Sequence, residues 1–218
     1  MSLRQQIRPL YHGIRSLFNQ INNMLLRPRF AALDSSAWVS SRAILYGTRG
    51  ISLAANAKIF PYAVLNCTYW HDISARAGRI DIGSGTVIQP FAFLHSHAGS
   101  IRLGRNCSVN PYAILYGEGG LTIGDYVRIA GHAMIIPGSH QFDRTDIPIA
   151  EQGLSYQGIT IEDDVWIGAG VKIIDGVRIA KGCVIGAGSV VTRSTEENGV
   201  YAGVPARRIK DRTSQDRD

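Results

Sequence analysis

An aliphatic residue recurs at every sixth position through the C-terminal third of the chain. The uninterrupted series consists of Ile161, Ile167, Ile173, Ile179, Ile185 and Val191. A small or short-branched side chain stands four residues after each of them, as at Val165 and Cys183. Neither the 3.6-residue period of an α-helix nor the two-residue alternation of a strand produces this pattern. A short repeat of this kind predicts a solenoid whose stacked coils bury one side of each turn.

The same register occurs upstream in sets of three aliphatic residues. The sets begin at positions 33, 53, 82, 103 and 123, ahead of those that begin at 161 and 179. Three six-residue units make one triangular coil with three short strands and three corners. We therefore expect an all-β solenoid of parallel strands, whose coils are about 4.8 Å apart along the axis.

Extra residues interrupt this spacing, and they always follow the third unit of a set. The insertions cover residues 66–81, 95–102, 116–122 and, the longest, 136–160. They should project from one edge of the prism, one above another. That edge is expected to gather a polar and aromatic group, namely Tyr69, Trp70, His71, His95, His97, Glu118 and His140. Loops on a rigid scaffold often carry binding and catalytic residues, so this edge is the candidate site.

Two segments carry a resemblance to a known family. They read VWIGAGVKIIDGVRIAKGCVIGAGSVVT (residues 165–192) and YAGVPARRIK (residues 201–210). Over about residues 33–210 the chain resembles the hexapeptide-repeat acyltransferases, most of all the galactoside, maltose and polysaccharide O-acetyltransferases. The resemblance implies a left-handed parallel β-helix, whereas ordinary parallel crossovers are right-handed. It also implies acetyl-CoA as the acyl donor and a homotrimer with its sites between neighbouring subunits.

The resemblance further implies that His140 is the general base, because family members carry a histidine before an irregular loop that returns to a VWIG coil. A neutral imidazole can take the proton of a hydroxyl as its oxygen attacks a thioester carbonyl. His132 is the alternative base, although it belongs to a different corner of the coil. Direct transfer is expected, since Cys107 and Cys183 hold inward positions and no covalent acyl carrier is recognisable.

Substrate-binding positions also follow from the resemblance. Asn110 and Glu118 match positions that hold the sugar acceptor, although the GEGG segment around Glu118 departs from the family pattern. The positions that match donor-binding residues are Trp166, Ala169, Ala187, Thr192, Arg193, Arg207 and Lys210. The N–H of Ala169 is expected to face the thioester oxygen, and the last four residues are expected near the adenine and phosphates. No metal motif accompanies His71, His95 and His97, so acceptor contact or solvation is expected there.

Composition narrows the range of functions. The chain has 218 residues and three scattered cysteines, too few for a disulfide framework or a zinc site. No apolar run approaches the roughly 20 residues of a membrane span, and no signal peptide is evident, so a cytoplasmic protein is expected. The net charge is +6, but the basic residues form no single stripe and accompany no nucleic-acid motif. The phosphates of coenzyme A are therefore a better explanation of the charge than nucleic acid.

Three segments are expected along the chain. Residues 1–30 form an N-terminal appendage, residues 31–200 the solenoid with its long loop at 136–160, and residues 201–218 a basic tail. Apolar side chains recur at helical spacing through residues 9–26, which predicts an amphipathic helix. This helix is expected to cover the first coil, and contact with a membrane surface is the alternative.

The sequence therefore favours acetyl-CoA-dependent O-acetylation of a saccharide hydroxyl, in surface polysaccharide or lipopolysaccharide synthesis. The enzymatic alternatives are N-acetylation of an amino sugar, including a nucleotide-linked one, and acetylation of an antibiotic-like xenobiotic. An amine is already nucleophilic and depends less on a base, which separates the first alternative from O-acetylation. The remaining alternative is a structural β-helix without activity, but the irregular corners argue against it.

Overall fold

The computed structural model describes residues 21–68 and 78–212. Three sheets of short strands form the faces of a triangular prism, here called sheets A, B and C. Sheet A contains Ala32–Leu33, Ile51–Leu53, Arg79–Ile82, Ser100–Leu103, Leu121–Ile123, Ile159–Ile161 and Arg178–Ile179. Sheet B contains Trp38–Val39, Lys58–Ile59, Val87–Ile88, Ser108–Val109, Arg128–Ile129, Trp166–Ile167, Val184–Ile185, Gly199–Gly203 and Ala206–Asp211.

The third face and the short helices complete the described chain. Sheet C contains Ile44–Tyr46, Val64–Asn66, Phe93–His95, Ile114–Tyr116, Met134–Ile135, Lys172–Ile173 and Val190–Val191. A separate antiparallel pair joins Ser139–His140 to Leu154–Ser155. Residues 21–26 are helical, and 3-10 turns lie at Arg27–Arg29, Thr48–Gly50 and Ile149–Glu151. The expected left-handed parallel β-helix with a short N-terminal helix is confirmed.

The six-residue register predicted from sequence is the register of the sheets. Leu103 pairs with Ile123, and Ile123 pairs with Ile161 across the longest insertion. These aliphatic side chains point inward and are buried, as are the small residues four positions later, such as Ala113 and Thr86. From the second coil onward, no coil can slip without exposing buried aliphatic residues, whereas Leu33 and Leu45 of the first coil are only partly buried.

From the second coil onward, the third residue after the aliphatic position has a left-handed backbone at the corners between sheets A and B and between sheets B and C. Glycine occupies this place at Gly85, Gly170 and Gly188, with φ between 68° and 71°. At the corner between sheets B and C, however, the lower coils place aromatic rings there, at Tyr62, Phe91, Tyr112 and His132. The four rings are stacked with centroids 5.1–5.2 Å apart. Ring stacking offsets part of the strain that a bulky residue suffers at positive φ.

All the insertions emerge at the edge where sheet C leads into sheet A, hereafter the C–A edge. The coil containing Ile173 passes this corner without an insertion, since Asp175 and Gly176 alone form the turn before Arg178. The expectation of a single irregular edge is thus satisfied in the described residues. Tyr69, Trp70 and His71, which were expected on this edge, lie outside them.

Both ends of the solenoid are covered by the chain itself. Asn23 at the end of the N-terminal segment donates to the carbonyl of Ala37 at 2.7 Å and accepts from the N–H of Val39 at 3.2 Å. Residues 1–20 of the predicted helix lie outside the described range. At the other end, a hairpin of sheet B occupies residues 199–211, so the described part of the expected tail is mainly strand. Tyr201 anchors this hairpin, because it continues the inward column above Ile185 and is 9% exposed.

The full burial of the inward columns in the middle coils predicts a large stability effect for a single core substitution. Ile129→Ala, in the fully buried column between Val109 and Ile167, should lower the free energy of unfolding by about 2–5 kcal/mol. Denaturant unfolding followed by circular dichroism measures this loss. Thr122→Ala, on the exposed side of sheet A, is the control and should change stability by less than about 0.5 kcal/mol. Equal effects would contradict the inward register.

Candidate active site

His140 projects from the root of the longest insertion at the C–A edge. The segment Ser139–His140 pairs with Leu154–Ser155, so the insertion leaves and returns as a short hairpin. Asp175 secures the return, because its carboxylate accepts hydrogen bonds from the N–H groups of Gln157 and Gly158 at 2.9–3.0 Å. The regular coil thereby fixes the base of the loop that carries His140.

An open cleft of about 770 Å³ lies beside this hairpin. Its walls include His140, Phe142 and Asp143 from the insertion and Lys172 and Asp175 from the next coil. The His140 side chain is exposed, and the cleft presents both charges around it. The cleft is thus large enough for part of a sugar or an acyl chain and offers an imidazole to it.

Glu118 approaches the same place from the coil below. The N–H of Gly119 donates to the carbonyl of Pro137 at 2.9 Å, which ties the Glu118 turn to the start of the His140 insertion. A methyl group placed on Gly138 would lie 3.3 Å from Glu118 Oε2. Glycine is also required beneath the turn, since a methyl group on Gly99 would lie 1.9 Å from the carbonyl oxygen of Gly117. Small residues therefore bring the carboxylate toward the histidine.

Burial raises the pKa of the Glu118 carboxyl, while the electrostatic attraction of His140 lowers it. Glu118 and His140 are expected from the sequence to serve the acceptor and catalysis separately. In the structure the turn that carries Glu118 lies against the start of the segment that carries His140, on the next coil.

Two buried histidines lie below Glu118. His95 is fully buried and His97 is 7% exposed, so neither is solvated as a surface residue. Their rings stack with centroids 3.6 Å apart, and His95 Nε2 lies 2.9 Å from the carbonyl oxygen of Thr68. His97 Nδ1 lies 3.1 Å from Glu118 Oε1. Burial lowers the pKa of both rings, that of His97 to about 4, with His95 adding to the effect.

The corner between sheets B and C, hereafter the B–C corner, has different residues in the lower and upper coils, and they differ in whether they carry a backbone N–H. In the lower coils the second residue after the aliphatic position is proline, at Pro61, Pro90 and Pro111, which has no N–H. The upper coils have Gly131, Ala169 and Ala187 there. Within the described chain the N–H groups of these three make no hydrogen bond. A column of available donors therefore begins at the fifth coil and includes both predicted alanines.

The other predicted site residues are spread over different parts of the prism. Trp166 is 57% exposed on the outer side of sheet B, the face opposite the C–A edge. Asn110 lies at the B–C corner, a full face away from Glu118. Thr192 and Arg193 follow sheet C at the last coil, on the side of His140, whereas Arg207 and Lys210 lie on the terminal strand of sheet B. One chain alone does not bring the two predicted groups together.

Some functional features were not foreseen. The anchoring role of Asp175 and the contact of His97 with Glu118 depend on residues 17–21 positions apart, and no local motif signals either. His132 stacks on Tyr112 at the B–C corner with centroids 5.1 Å apart, which separates it from the cleft. Cys67, Cys107 and Cys183 are buried free thiols, and burial raises the pKa of Cys67 to about 11.

The described residues offer neither a metal-binding cluster nor a membrane-spanning helix. Residues 21–68 and 78–212 contain no group of three or more histidine, cysteine, aspartate or glutamate side chains placed to hold a metal ion. In the same ranges no helix is long and apolar enough to span a membrane.

Known proteins with hexapeptide repeats match parts of this chain. Residues 158–193 match the family model for the bacterial transferase hexapeptide, six repeats. The chain is 40% identical over 98 residues to the galactoside O-acetyltransferase of Escherichia coli, covering 44% of this chain and 47% of that protein. It is 48% identical over 52 residues to a 2,3,4,5-tetrahydropyridine-2,6-dicarboxylate N-acetyltransferase of Staphylococcus aureus, covering 24% and 22%. The matches span less than half the length of these relatives.

Solved structures match over more of the chain. AntD, an N-acyltransferase from Bacillus cereus solved with dTDP-4-amino-4,6-dideoxyglucose and coenzyme A, superposes with a TM-score of 0.60 at 23% identity. The match covers 88% of this chain and 89% of AntD. A hexapeptide transferase family protein from Anaplasma phagocytophilum superposes with a TM-score of 0.53 at 17% identity, and the match covers 78% of this chain and 84% of that protein. The resemblance to hexapeptide-repeat transferases is confirmed, and these structures establish the fold.

The buried histidine pair predicts that stability falls in acid. Folding depresses the pKa of His97 from 6.5 to about 4, so the unfolded chain binds the additional proton between these values. The free energy of unfolding should therefore fall with pH, by about 1–2 kcal/mol from His97 alone between pH 7 and pH 5. Denaturant unfolding at both pH values measures the loss. His97→Asn, which cannot titrate, should lose less, and an equal loss in both proteins would contradict the assignment.

Proposed function

We propose that the protein is an acetyl-CoA-dependent O-acetyltransferase that acts on a saccharide hydroxyl, with His140 as the general base. The observation that carries this proposal is the position of His140, which lines an open cleft of about 770 Å³ at the base of a firmly anchored loop. An exposed imidazole in a cleft can both reach a hydroxyl and release its proton. The turn of Glu118, on the coil below, lies against the start of the same segment.

The comparisons support this activity and differ on the acceptor atom. The galactoside O-acetyltransferase of Escherichia coli, at 40% identity, supports a sugar hydroxyl and an acetyl group. AntD was solved with coenzyme A and an amino sugar nucleotide, but at 23% identity this likeness concerns the fold. We retain N-acetylation of an amino sugar as the second candidate, because AntD matches over 88% of this chain.

The proposed reaction is a single direct transfer. The acceptor hydroxyl loses its proton to the free imidazole nitrogen of His140 as its oxygen attacks the thioester carbonyl. The C–S bond then breaks, the acetyl group remains on the acceptor oxygen, and coenzyme A leaves as a thiolate that takes the proton back from His140. The Ala169 N–H, which is free of other partners in the described chain, stabilises the negative oxygen of the intermediate.

The donor is proposed to lie along the upper B–C corner. The N–H groups of Ala169 and Ala187 are aligned there and can bind the amide carbonyls of the pantetheine arm. Trp166 offers an exposed aromatic surface one strand away. Beyond the last coil, Thr192, Arg193, Arg207 and Lys210 surround the end of the prism, where cationic side chains suit the adenine and phosphates.

This arrangement requires a second copy of the chain, and we propose a homotrimer. Sheet C presents an apolar outer row made of Ile44, Val64, Phe93, Ile114 and Met134. Covering this row would bury apolar surface between subunits. The C–A edge of one subunit, with His140 and Glu118, then faces the donor corner and Asn110 of its neighbour. Asn110, which lies a full face away from the C–A edge in one chain, can bind the acceptor beside the neighbour's His140 in that arrangement.

Replacement of the proposed base should abolish most of the activity. His140→Ala is expected to lower kcat for O-acetylation by about 10²–10⁴-fold with little change in the KM for acetyl-CoA. Thiol release from acetyl-CoA, with oligosaccharides and amino sugars as acceptors, measures the effect. His132→Ala, at the other corner, is the matched control and should retain activity within about threefold. A larger loss in the control would make His132 the base, and a loss below about tenfold in His140→Ala would favour an amine acceptor.

A site shared between subunits predicts complementation between inactive variants. When His140→Ala and Trp166→Ala chains are co-expressed in equal amounts, about a quarter of the sites combine an intact histidine with an intact tryptophan. Activity should therefore recover to about a quarter of the wild-type value. The control is co-expression of His140→Ala chains with chains that carry both substitutions, and this mixture should recover no activity. Failure of the first mixture to recover would place Trp166 outside the site or the site within one chain.

A further inference from the structure

Three ionisable residues stand on successive coils of the C–A edge. His97 follows the third coil, Glu118 follows the fourth, and His140 follows the fifth. Because neighbouring coils are about 4.8 Å apart, groups in this column can interact in sequence. The proposed function uses His140 and places Glu118 beside it, but it leaves the two buried histidines without a role.

The stacking and burial of the two histidines favour their neutral forms. Stacked rings 3.6 Å apart inside the protein would repel each other if both were charged. Burial accordingly lowers the pKa of both rings, that of His97 to about 4. At neutral pH His97 is therefore an uncharged imidazole, and its Nδ1 lies 3.1 Å from Glu118 Oε1. A neutral N–H can hold a carboxylate without neutralising its charge.

The other carboxylate oxygen points up the column. Glu118 Oε2 would lie 3.3 Å from a methyl group on Gly138, two residues before His140. The Gly119 N–H bond to the Pro137 carbonyl holds the two turns together at 2.9 Å. With one oxygen on His97, the carboxylate has its remaining oxygen directed toward the segment that carries His140. Its side chain is 25% exposed, so water weakens the charge only in part.

We propose that His97 is a positioning residue, which directs the Glu118 carboxylate at His140 so that Glu118 stabilises the imidazolium formed when His140 takes the acceptor proton. The inference rests on the proposed function. Glu118 stays ionised throughout, and the proton moves only between the acceptor, His140 and the leaving thiolate. His95 supports His97 through ring stacking and is itself fixed by the carbonyl of Thr68.

This role differs from direct contact between Glu118 and the acceptor. Loss of an acceptor contact raises the KM for the acceptor, whereas loss of imidazolium stabilisation lowers kcat and makes His140 harder to protonate. The other charged groups of the cleft are Asp143, Lys172 and Asp175, and all of them remain in the variants below. A change in the titration midpoint of His140 can then be assigned to the substitution at Glu118 or His97.

The decisive measurement is an NMR titration of the His140 ring in the protein without substrates. In Glu118→Gln the ring should titrate at a pH lower by at least about 0.3 units, because a nearby negative charge favours the protonated ring. Glu151→Gln, the same substitution on an exposed turn of the long insertion, is the control and should leave the titration unchanged. An unchanged midpoint in Glu118→Gln would overturn the proposal.

Variants at His97 test the positioning step. His97→Ala removes the donor and should shift the His140 titration in the same direction as Glu118→Gln. His97→Asn places an amide N–H near the Nδ1 position and tolerates the φ of 50° at this residue, so it should restore the wild-type midpoint. Heteronuclear spectra confirm that each variant is folded. Equal shifts in both His97 variants, or none, would contradict a positioning role.

Kinetics separate this proposal from the proposed function. Glu118→Gln and His97→Ala should each lower kcat by about 10-fold or more with the acceptor KM unchanged, and the acidic limb of the pH profile should move to lower pH. A rise in the acceptor KM with constant kcat would assign Glu118 to the acceptor and overturn the inference. If wild-type protein transfers no acyl group, the proposed function fails, and the NMR titration alone decides whether the column exists.

Discussion

The stacking of coils through backbone hydrogen bonds is the constraint on which the other features depend. Each strand has only two to four residues through most of the solenoid, so a single strand contributes little stability. Parallel pairing continues from coil to coil on all three faces, and an aliphatic side chain closes the interior on each face. An additional residue within a strand would turn an aliphatic side chain outward. Insertions are therefore confined to a corner, and in this chain they share the C–A edge.

That confinement gathers the candidate site residues along one edge of the scaffold. Residues far apart in sequence become neighbours along the edge, at the spacing of the coils, so His97, Glu118 and His140 form a column. Small residues at Gly99 and Gly138 allow the turns to approach. From the buried end outward, the column consists of a histidine whose pKa burial lowers, a carboxyl whose pKa burial raises, and an exposed histidine. In the proposed mechanism the buried histidine holds the carboxyl group in place.

The B–C corner differs between the lower and the upper coils. In three of the lower coils Pro61, Pro90 and Pro111 remove the N–H at the second corner position, and stacked aromatic rings follow them. Glycine and alanine in the upper coils leave a row of N–H groups at that position without a hydrogen-bond partner in the described chain. The upper coils of this corner lie level with the cleft of His140, but on another edge of the prism. The proposed donor corner and the cleft of His140 thus lie on different edges of one chain, which is the reason for proposing a trimer.

The sequence by itself determined the register, the three faces and the single irregular edge, because a repeat of six residues admits one inward position per strand. It also indicated His140, since the start of an insertion is visible as a break in spacing. Only the tertiary structure decided that His95 and His97 are buried, that His97 meets Glu118, and that Trp166 faces away from His140. These facts depend on how turns from different coils lie against one another, and the repeat does not encode the path of an insertion.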